Sequence, residues 1–150
     1  RSYSLLMAVA VFLLIILADQ WTKALALRFL SDVPTLPILP GVFHLTLTLN
    51  PGVAFGLFRG YGLGLTVVTL ALLGALVISS VRRGTAGRSG LARWSLILIV
   101  GGALGNLVDR IRFAGVVDFL DFRIWPIFNL ADSCITLGPG LMAWALWRRL

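Results

Sequence analysis

The chain has 150 residues, of which 59% are hydrophobic and 13% are charged, and its formal net charge is +7. Since a soluble domain is about half apolar and about a quarter charged, this composition excludes a monomeric water-soluble protein and predicts an integral membrane protein. The arginines lie between apolar stretches and do not form one basic face, so they predict topology signals and lipid-headgroup contacts, not nucleic-acid binding.

Four apolar stretches are long enough to cross the hydrocarbon core, which takes about 20 helical residues. They lie at about residues 5–25, 61–81, 91–111 and 127–147. We therefore predict an all-α membrane protein with four transmembrane helices in a single domain over residues 1–150. No small-residue cleavage site follows the first stretch, so we interpret it as a retained helix and not as a signal peptide.

Arginine placement predicts the orientation of these helices. The connection between the second and third spans holds four arginines, counting Arg93 at its end, and no acid, and further arginines lie at both termini. By the positive-inside rule these segments, including both termini, face the cytoplasm. The connections at about residues 26–60 and 112–126 then face outward.

The first outward connection contains the pattern of a β-strand. Residues 43–50 alternate apolar and polar side chains, and a turn at Asn50-Pro51-Gly52 follows them. Residues 114–122 form a second strand candidate. We predict a small extracytoplasmic β-sheet whose apolar face meets lipid or a lipidated ligand, with Phe55 and Phe58 as candidates for closing over that ligand.

Polar residues within the spans are functional candidates, because a charge in the hydrocarbon core is costly and needs a partner. Asp19 and Lys23 are four residues apart, in the favourable order for an intrahelical ion pair. Asn106, Asp109 and Arg110 share one face of the third span. Each group is either a structural clamp, with Asp109 bound to Arg110 or to another arginine, or support for a nearby site. Glycines spaced four apart in the third span predict close approach by another helix.

The fourth span opens with Asn129 and Asp132, three residues apart. No basic residue lies near Asp132 in sequence, so it is either protonated or paired from elsewhere. Asp118 in the outward connection is a candidate partner. Two adjacent carboxyls share one proton, which suits aspartic proteolysis, whereas two separate structural aspartates are the alternative. Cys134 and His44 are the only residues of their types, and we predict no metal site.

Five motifs of this chain, in this order, resemble those of the lipoprotein signal peptidase (signal peptidase II) family. They are Asp-Gln-Trp-Thr-Lys at 19–23, Asn-Pro-Gly-Val-Ala-Phe-Gly at 50–56, Gly-Ala-Leu-Gly-Asn-Leu-Val-Asp-Arg at 102–110, Val-Asp-Phe at 117–119 and Phe-Asn-Leu-Ala-Asp at 128–132. Each motif alone is weak evidence, but the ordered set on a four-span chain is specific.

The resemblance implies an aspartyl endopeptidase of the bacterial inner membrane that needs no cofactor, with Asp118 and Asp132 as the catalytic pair. The resemblance also implies a set of polar positions that bind substrate or support the site: Asp19, Asn50, Asn106, Asp109, Arg110 and Asn129. Lys23 joins this set as the ion-pair partner of Asp19. The implied substrates are prolipoproteins with a diacylglyceryl-modified cysteine, cut on the N-terminal side of that cysteine. Membrane lipids and the cyclic peptide antibiotic globomycin are further implied partners.

Two other functions stay open from the residues alone. Asp19, Asp109 and Asp132 also suit a proton relay in a small proton-coupled transporter or channel. A scaffold that only binds other membrane helices is the third possibility, but it leaves the outward Asp118 unexplained. Ion flux in proteoliposomes would indicate the relay, whereas cleavage of a lipidated pre-protein would indicate the peptidase.

Overall fold

The computed structural model describes residues 2–51 and 90–148, together with isolated helical positions between 71 and 82. Within these ranges the elements are α1 (Ser2–Leu30), β1 (Leu36–Leu39), β2 (Phe43–Asn50), α2 (Gly90–Phe113), β3 (Val116–Asp121) and α3 (Leu130–Trp147). The predicted second span, at about residues 61–81, lies outside the continuously described residues, as do Phe55 and Phe58.

Helices α1 and α2 form where the sequence predicts the first and third spans. No glycine or proline interrupts α1, which continues past the predicted end near residue 25. Arg28 lies in its last turn, where a cation favours the helix C-terminus. Among the described residues, α2 and the Leu5–Leu30 part of α1 are long and apolar enough to cross a membrane. Exposed side chains such as Leu14 and Leu17 suit a helix that meets lipid.

Helix α3 corresponds to the predicted fourth span but begins at Leu130, later than the expected start near residue 127, because the chain before it caps the helix instead of joining it. With 18 residues it is shorter than α1 and α2, and Pro139 lies inside it. The buried hydroxyl of Ser95 in α2 donates to the carbonyl of Gly138 at 2.6 Å, which ties the two helices together beside this proline.

Glycines on α2 allow the close helix approach that their spacing predicts. A Cβ atom on Gly101 would lie 3.1 Å from the Ile15 side chain, and one on Gly105 would lie 2.5 Å from the carboxylate of Asp19, so both glycines face α1. A Cβ atom on Gly102 would lie 2.5 Å from the Ala131 carbonyl of α3. The prediction is confirmed, and α1 and α3 both reach the backbone of α2 where the polar residues gather.

The three strands form one antiparallel sheet in the order β1-β2-β3. Strands β2 and β3 lie within the predicted segments 43–50 and 114–122, which confirms the small sheet. Strand β1 was not predicted because Pro37 interrupts the pattern, but an edge strand tolerates a residue without an N–H group. Leu45 and Leu47 of β2 pack against a core of Ala26, Leu30 and Phe119. Part of the apolar face expected to meet lipid or ligand therefore packs on the end of α1.

Candidate active site

Asp118 lies in the middle of β3 and is 1% exposed. The antiparallel register pairs Asn50 with Val116, which places the Asn50 side chain diagonally opposite Asp118. The Asn50 amide donates to Oδ2 of Asp118 at 3.1 Å, and the amide of Asn129 donates to Oδ1 at 2.7 Å. Both oxygens of the carboxyl thus accept hydrogen bonds from neutral amides.

Asp132 lies in the first turn of α3, where it and Asn129 cap the helix reciprocally. The Asn129 side-chain oxygen accepts from the Asp132 backbone N–H at 2.9 Å. The Asp132 carboxyl accepts from the Asn129 backbone N–H at 3.3 Å. This is the geometry of a capping box, in which the helix N-terminus favours a negative charge on Asp132. One asparagine side chain therefore contacts Asp118 and also holds the turn that carries Asp132.

Asn106 of α2 connects Asp132 to a buried cation. Its amide NH₂ donates to Oδ1 of Asp132 at 2.8 Å. Its carbonyl oxygen accepts from Nζ of Lys23 at 2.9 Å and from the Asn129 amide at 3.1 Å. Polar side chains from α1, α2 and the start of α3 are thereby joined in one network beneath the sheet.

Lys23 is 2% exposed and forms ion pairs with two acids. Its Nζ atom lies 2.8 Å from Oδ2 of Asp19 and 2.9 Å from Oδ2 of Asp109. Each acid also accepts from a backbone N–H beside the site: Asp109 from Val117 at 3.0 Å, and Asp19 from Ala131 at 3.0 Å. These two donors immediately precede Asp118 and Asp132, so the paired acids fix the backbone that carries both carboxyls.

One predicted ion pair is present in the structure and the other is not. The intrahelical pair of Asp19 and Lys23 is confirmed, but the expectation that an arginine pairs with Asp109 is wrong, since its ion pair is with Lys23 of another helix. Asp132, which lacks a basic neighbour in sequence, receives attraction from Arg110, as do Asp118 and Asp109. An arginine 22 positions away can reach it only because α2 and α3 pack side by side.

Burial, and after it the charge of Asp132, raise the pKa of Asp118, whereas the Asn50 and Asn129 amides and Lys23 lower it; the net result is a pKa of about 7. The strongly raised pKa means that Asp118 holds a proton under conditions in which an ordinary aspartate is ionised. Within the described residues, no group of three His, Cys, Asp or Glu side chains is arranged to hold a metal ion.

Sequence reasoning missed Gln20 as part of the network. Its amide donates to Oδ1 of Asp109 at 2.9 Å and to the Gly105 carbonyl at 3.1 Å, and its oxygen accepts from Arg112 at 3.3 Å. Its position beside Asp19 in the first motif was the one available signal. It lies between the buried acids and the exposed end of α2.

Comparison with known proteins gives a consistent result. A family model described as signal peptidase (SPase) II matches residues 11–148. The lipoprotein signal peptidase of Halothermothrix orenii is 46% identical over 144 residues, which cover 95% of this chain and 97% of that protein. The lipoprotein signal peptidase of Moorella thermoacetica is 44% identical over 134 residues, with coverages of 89% and 88%.

Two solved structures, each described as a bacterial membrane enzyme structure by the in meso method, share the fold. The one at 2.3 Å resolution superposes with a TM-score of 0.84 at 29% identity and covers 95% of this chain and 88% of that chain. The one at 1.9 Å resolution gives a TM-score of 0.81 at 30% identity, with coverages of 93% and 92%. The resemblance inferred from the five motifs is confirmed.

Proposed function

This chain belongs to the signal peptidase II family, and we propose that Asp118 and Asp132 are the catalytic pair with which it removes signal peptides from lipoproteins. The observation that carries the assignment of the pair is their shared environment. Asn129 donates to the Asp118 carboxyl at 2.7 Å and caps the helix turn that carries Asp132. The charge of Asp132 also helps to raise the pKa of Asp118.

The pair suits peptide hydrolysis because two interacting carboxyls hold one proton between them. The charged carboxylate accepts a proton from a water molecule, whose oxygen attacks the scissile carbonyl carbon. The protonated carboxyl donates to the carbonyl oxygen as negative charge develops there. The remaining polar residues, from Asp19 to Asn129, hold the two carboxyls and their backbone in place.

The substrate that fits this site is a prolipoprotein whose cysteine already carries a diacylglyceryl group, cut on the N-terminal side of that cysteine. Such a peptide reaches the enzyme sideways from the bilayer, so the scissile bond arrives at the membrane surface, next to a sheet with exposed apolar side chains such as Leu49 and Ile38. Globomycin, the cyclic peptide antibiotic that the resemblance implies as an inhibitor, would occupy the same surface.

The proposed arrangement is four membrane-spanning helices in the bacterial inner membrane, with both termini in the cytoplasm and the sheet outside. Support comes from the arginine distribution and from the two apolar helices α1 and α2. Asp118 lies in the sheet itself and Asp132 in the first turn of α3, and this orientation puts both on the outer side. Family membership gives no support to the alternative of a proton-coupled transporter.

Substitution of each carboxyl by an isosteric amide tests the catalytic pair. We expect Asp118→Asn and Asp132→Asn each to reduce cleavage of a diacylglyceryl-modified pre-lipoprotein by about 1,000-fold or more, since each removes one half of the acid–base pair. Asp121→Asn is the matched control, because Asp121 lies in the same strand but is bound to Thr46 and Arg123. It should lose less than about tenfold. Substantial cleavage by either pair variant would rule out the proposed pair.

A further inference from the structure

The orientation of one side-chain amide beside the catalytic pair is fixed by a neighbouring cation. Lys23 has only N–H donors, and its Nζ lies 2.9 Å from the Asn106 side chain. The Asn106 carbonyl oxygen must therefore face Lys23, and its NH₂ group must face Asp132 at 2.8 Å. A lysine on α1 thus determines that Asp132 meets a hydrogen-bond donor on this side and not an acceptor.

We propose that Asn106, oriented by Lys23, is a positioning residue that leaves Asp132 as the charged carboxylate and assigns the single proton of the pair to Asp118. This inference rests on the proposed function, because it concerns the same two carboxyls. It deepens that function by giving each aspartate a separate role: Asp132 activates the water, and Asp118 donates to the scissile carbonyl.

The environments of the two carboxyls differ in the required direction. Asp132 is half-buried and lies in the first turn of α3, where the helix N-terminus favours an anion. It accepts from the Asn106 amide and from the Asn129 backbone N–H. Asp118 is 1% exposed and lies in a strand, which supplies almost no helix-type dipole.

The charged groups around the pair reinforce this difference. Arg110 of α2 attracts Asp132 more strongly than Asp118. Asp109, also on α2, has its charge balanced by the ion pair with Lys23. From α1, Lys23 attracts Asp118 but is itself bound by Asp19 and Asp109. The anion is therefore better stabilised on Asp132, and the deeply buried Asp118 keeps the proton.

The two roles give a balanced reaction. Asp132 takes a proton from water as the water oxygen bonds to the carbonyl carbon, and Asp118 gives its proton to the carbonyl oxygen, which forms a neutral diol. When the C–N bond breaks, the leaving nitrogen takes the proton from Asp132, and one diol hydroxyl returns a proton to Asp118. Both carboxyls end in the protonation states in which they began.

Infrared spectroscopy of the full chain in detergent at about pH 5 tests the assignment directly, because a protonated carboxyl has its own C=O stretching band. We expect Asp118→Asn to lose a protonated-carboxyl band that Asp132→Asn retains. The opposite pattern, or the same spectrum for both variants, would overturn the proposal. Failure of the catalytic pair itself would appear differently, as retained cleavage by one of these variants.

The role of Asn106 is tested by the pH profile of kcat/KM. Asn106→Leu removes the donor to Asp132, so the acid limb of the profile should move up by about one pH unit, as the loss of a hydrogen bond to a charged group predicts. Ser95→Ala is the matched control. Ser95 is also buried on α2 and hydrogen-bonded to α3, but it lies about 16 Å from Asn106 along the helix axis.

Ser95→Ala should leave both limbs in place even where it lowers stability. Lys23→Arg, which also presents only donors, should restore the wild-type acid limb relative to Lys23→Gln. An unmoved limb in Asn106→Leu, with activity reduced equally at every pH, would show a purely structural role and overturn the proposal. If Asn106→Leu does not fold, the infrared comparison still decides where the proton lies.

Discussion

Asp118 and Asp121 lie three residues apart in one strand and are both nearly fully buried, yet their pKa values shift in opposite directions. Burial disfavours the charged form of each. For Asp121 the backbone N–H of Arg123, the hydroxyl of Thr46 and the guanidinium of Arg123 offset that cost and lower its pKa. For Asp118 burial is not offset in this way, the largest effect of a neighbouring charge comes from another aspartate, Asp132, and its pKa rises to about 7.

The contrast shows that the partners of a covered acid decide whether the cost of its burial is offset, and so in which direction its pKa shifts. Asp121 has a cation 3.1 Å away, and Asp19 and Asp109 share Lys23. Asp118 accepts instead from the neutral amides of Asn50 and Asn129. Neutral donors hold the carboxyl in position without neutralising a charge on it, so it can gain and lose a proton.

The largest effect expected from this contrast is on the pH dependence of activity. The proposed role of Asp118 requires its protonated form, so kcat/KM should fall about tenfold for each pH unit above about 7. In right-side-out membrane vesicles, the external pH should govern this limb. Control by the internal pH would reverse the proposed orientation, and a flat profile between pH 6 and 9 would remove Asp118 from the acid role.

A smaller effect is expected on stability. The folded pKa of Asp118 lies above its usual value of 3.8, so its folded form binds more protons, and its contribution to stability is lost as pH rises from about 4 to about 7. Asp118→Asn should therefore be about 1–2 kcal/mol more stable than wild type at pH 8, with less advantage near pH 4.

Asp121 should behave in the opposite way. Its pKa is lowered in the fold, so its contribution is present above its usual pKa and lost as pH falls. Asp121→Asn should cost about 1 kcal/mol at pH 8 and less under strongly acid conditions. Unfolding midpoints in detergent across this pH range measure both variants, and equal behaviour of the two would contradict the contrast.

The smallest effect concerns the neutral donors. The Asn50 amide lowers the pKa of Asp118, so Asn50→Ala should move the alkaline limb of the rate profile up by about half a pH unit. Thr46→Val is the matched control, because it removes a donor to Asp121 from the same strand. That variant should leave the limb unchanged. A downward shift in Asn50→Ala would contradict the contribution of this donor.

Much of the fold followed from local pattern. Apolar length predicted α1, α2 and α3, and period-two alternation predicted β2 and β3, because both signals depend on neighbours within a few residues. Strand β1 was missed because Pro37 interrupts the local pattern, whereas its pairing with β2 is a tertiary property. The partner of Asp109 was mistaken for the same reason, since Lys23 is 86 residues away in sequence and adjacent in space.

The sequence by itself determined that this is a membrane protein of the signal peptidase II family, because composition and ordered motifs need no coordinates. It also identified Asp132 as an unusual acid, because no basic residue lies near it in sequence, and Asp118 as its candidate partner. Only the tertiary structure decided which groups surround them: Asn129 between the two, Asn106 held by Lys23, and Asp19 and Asp109 bound to the backbone beside each carboxyl. Hydrogen bonds and ion pairs between distant segments set the environment of each acid, and these exist only once the helices and the sheet have packed.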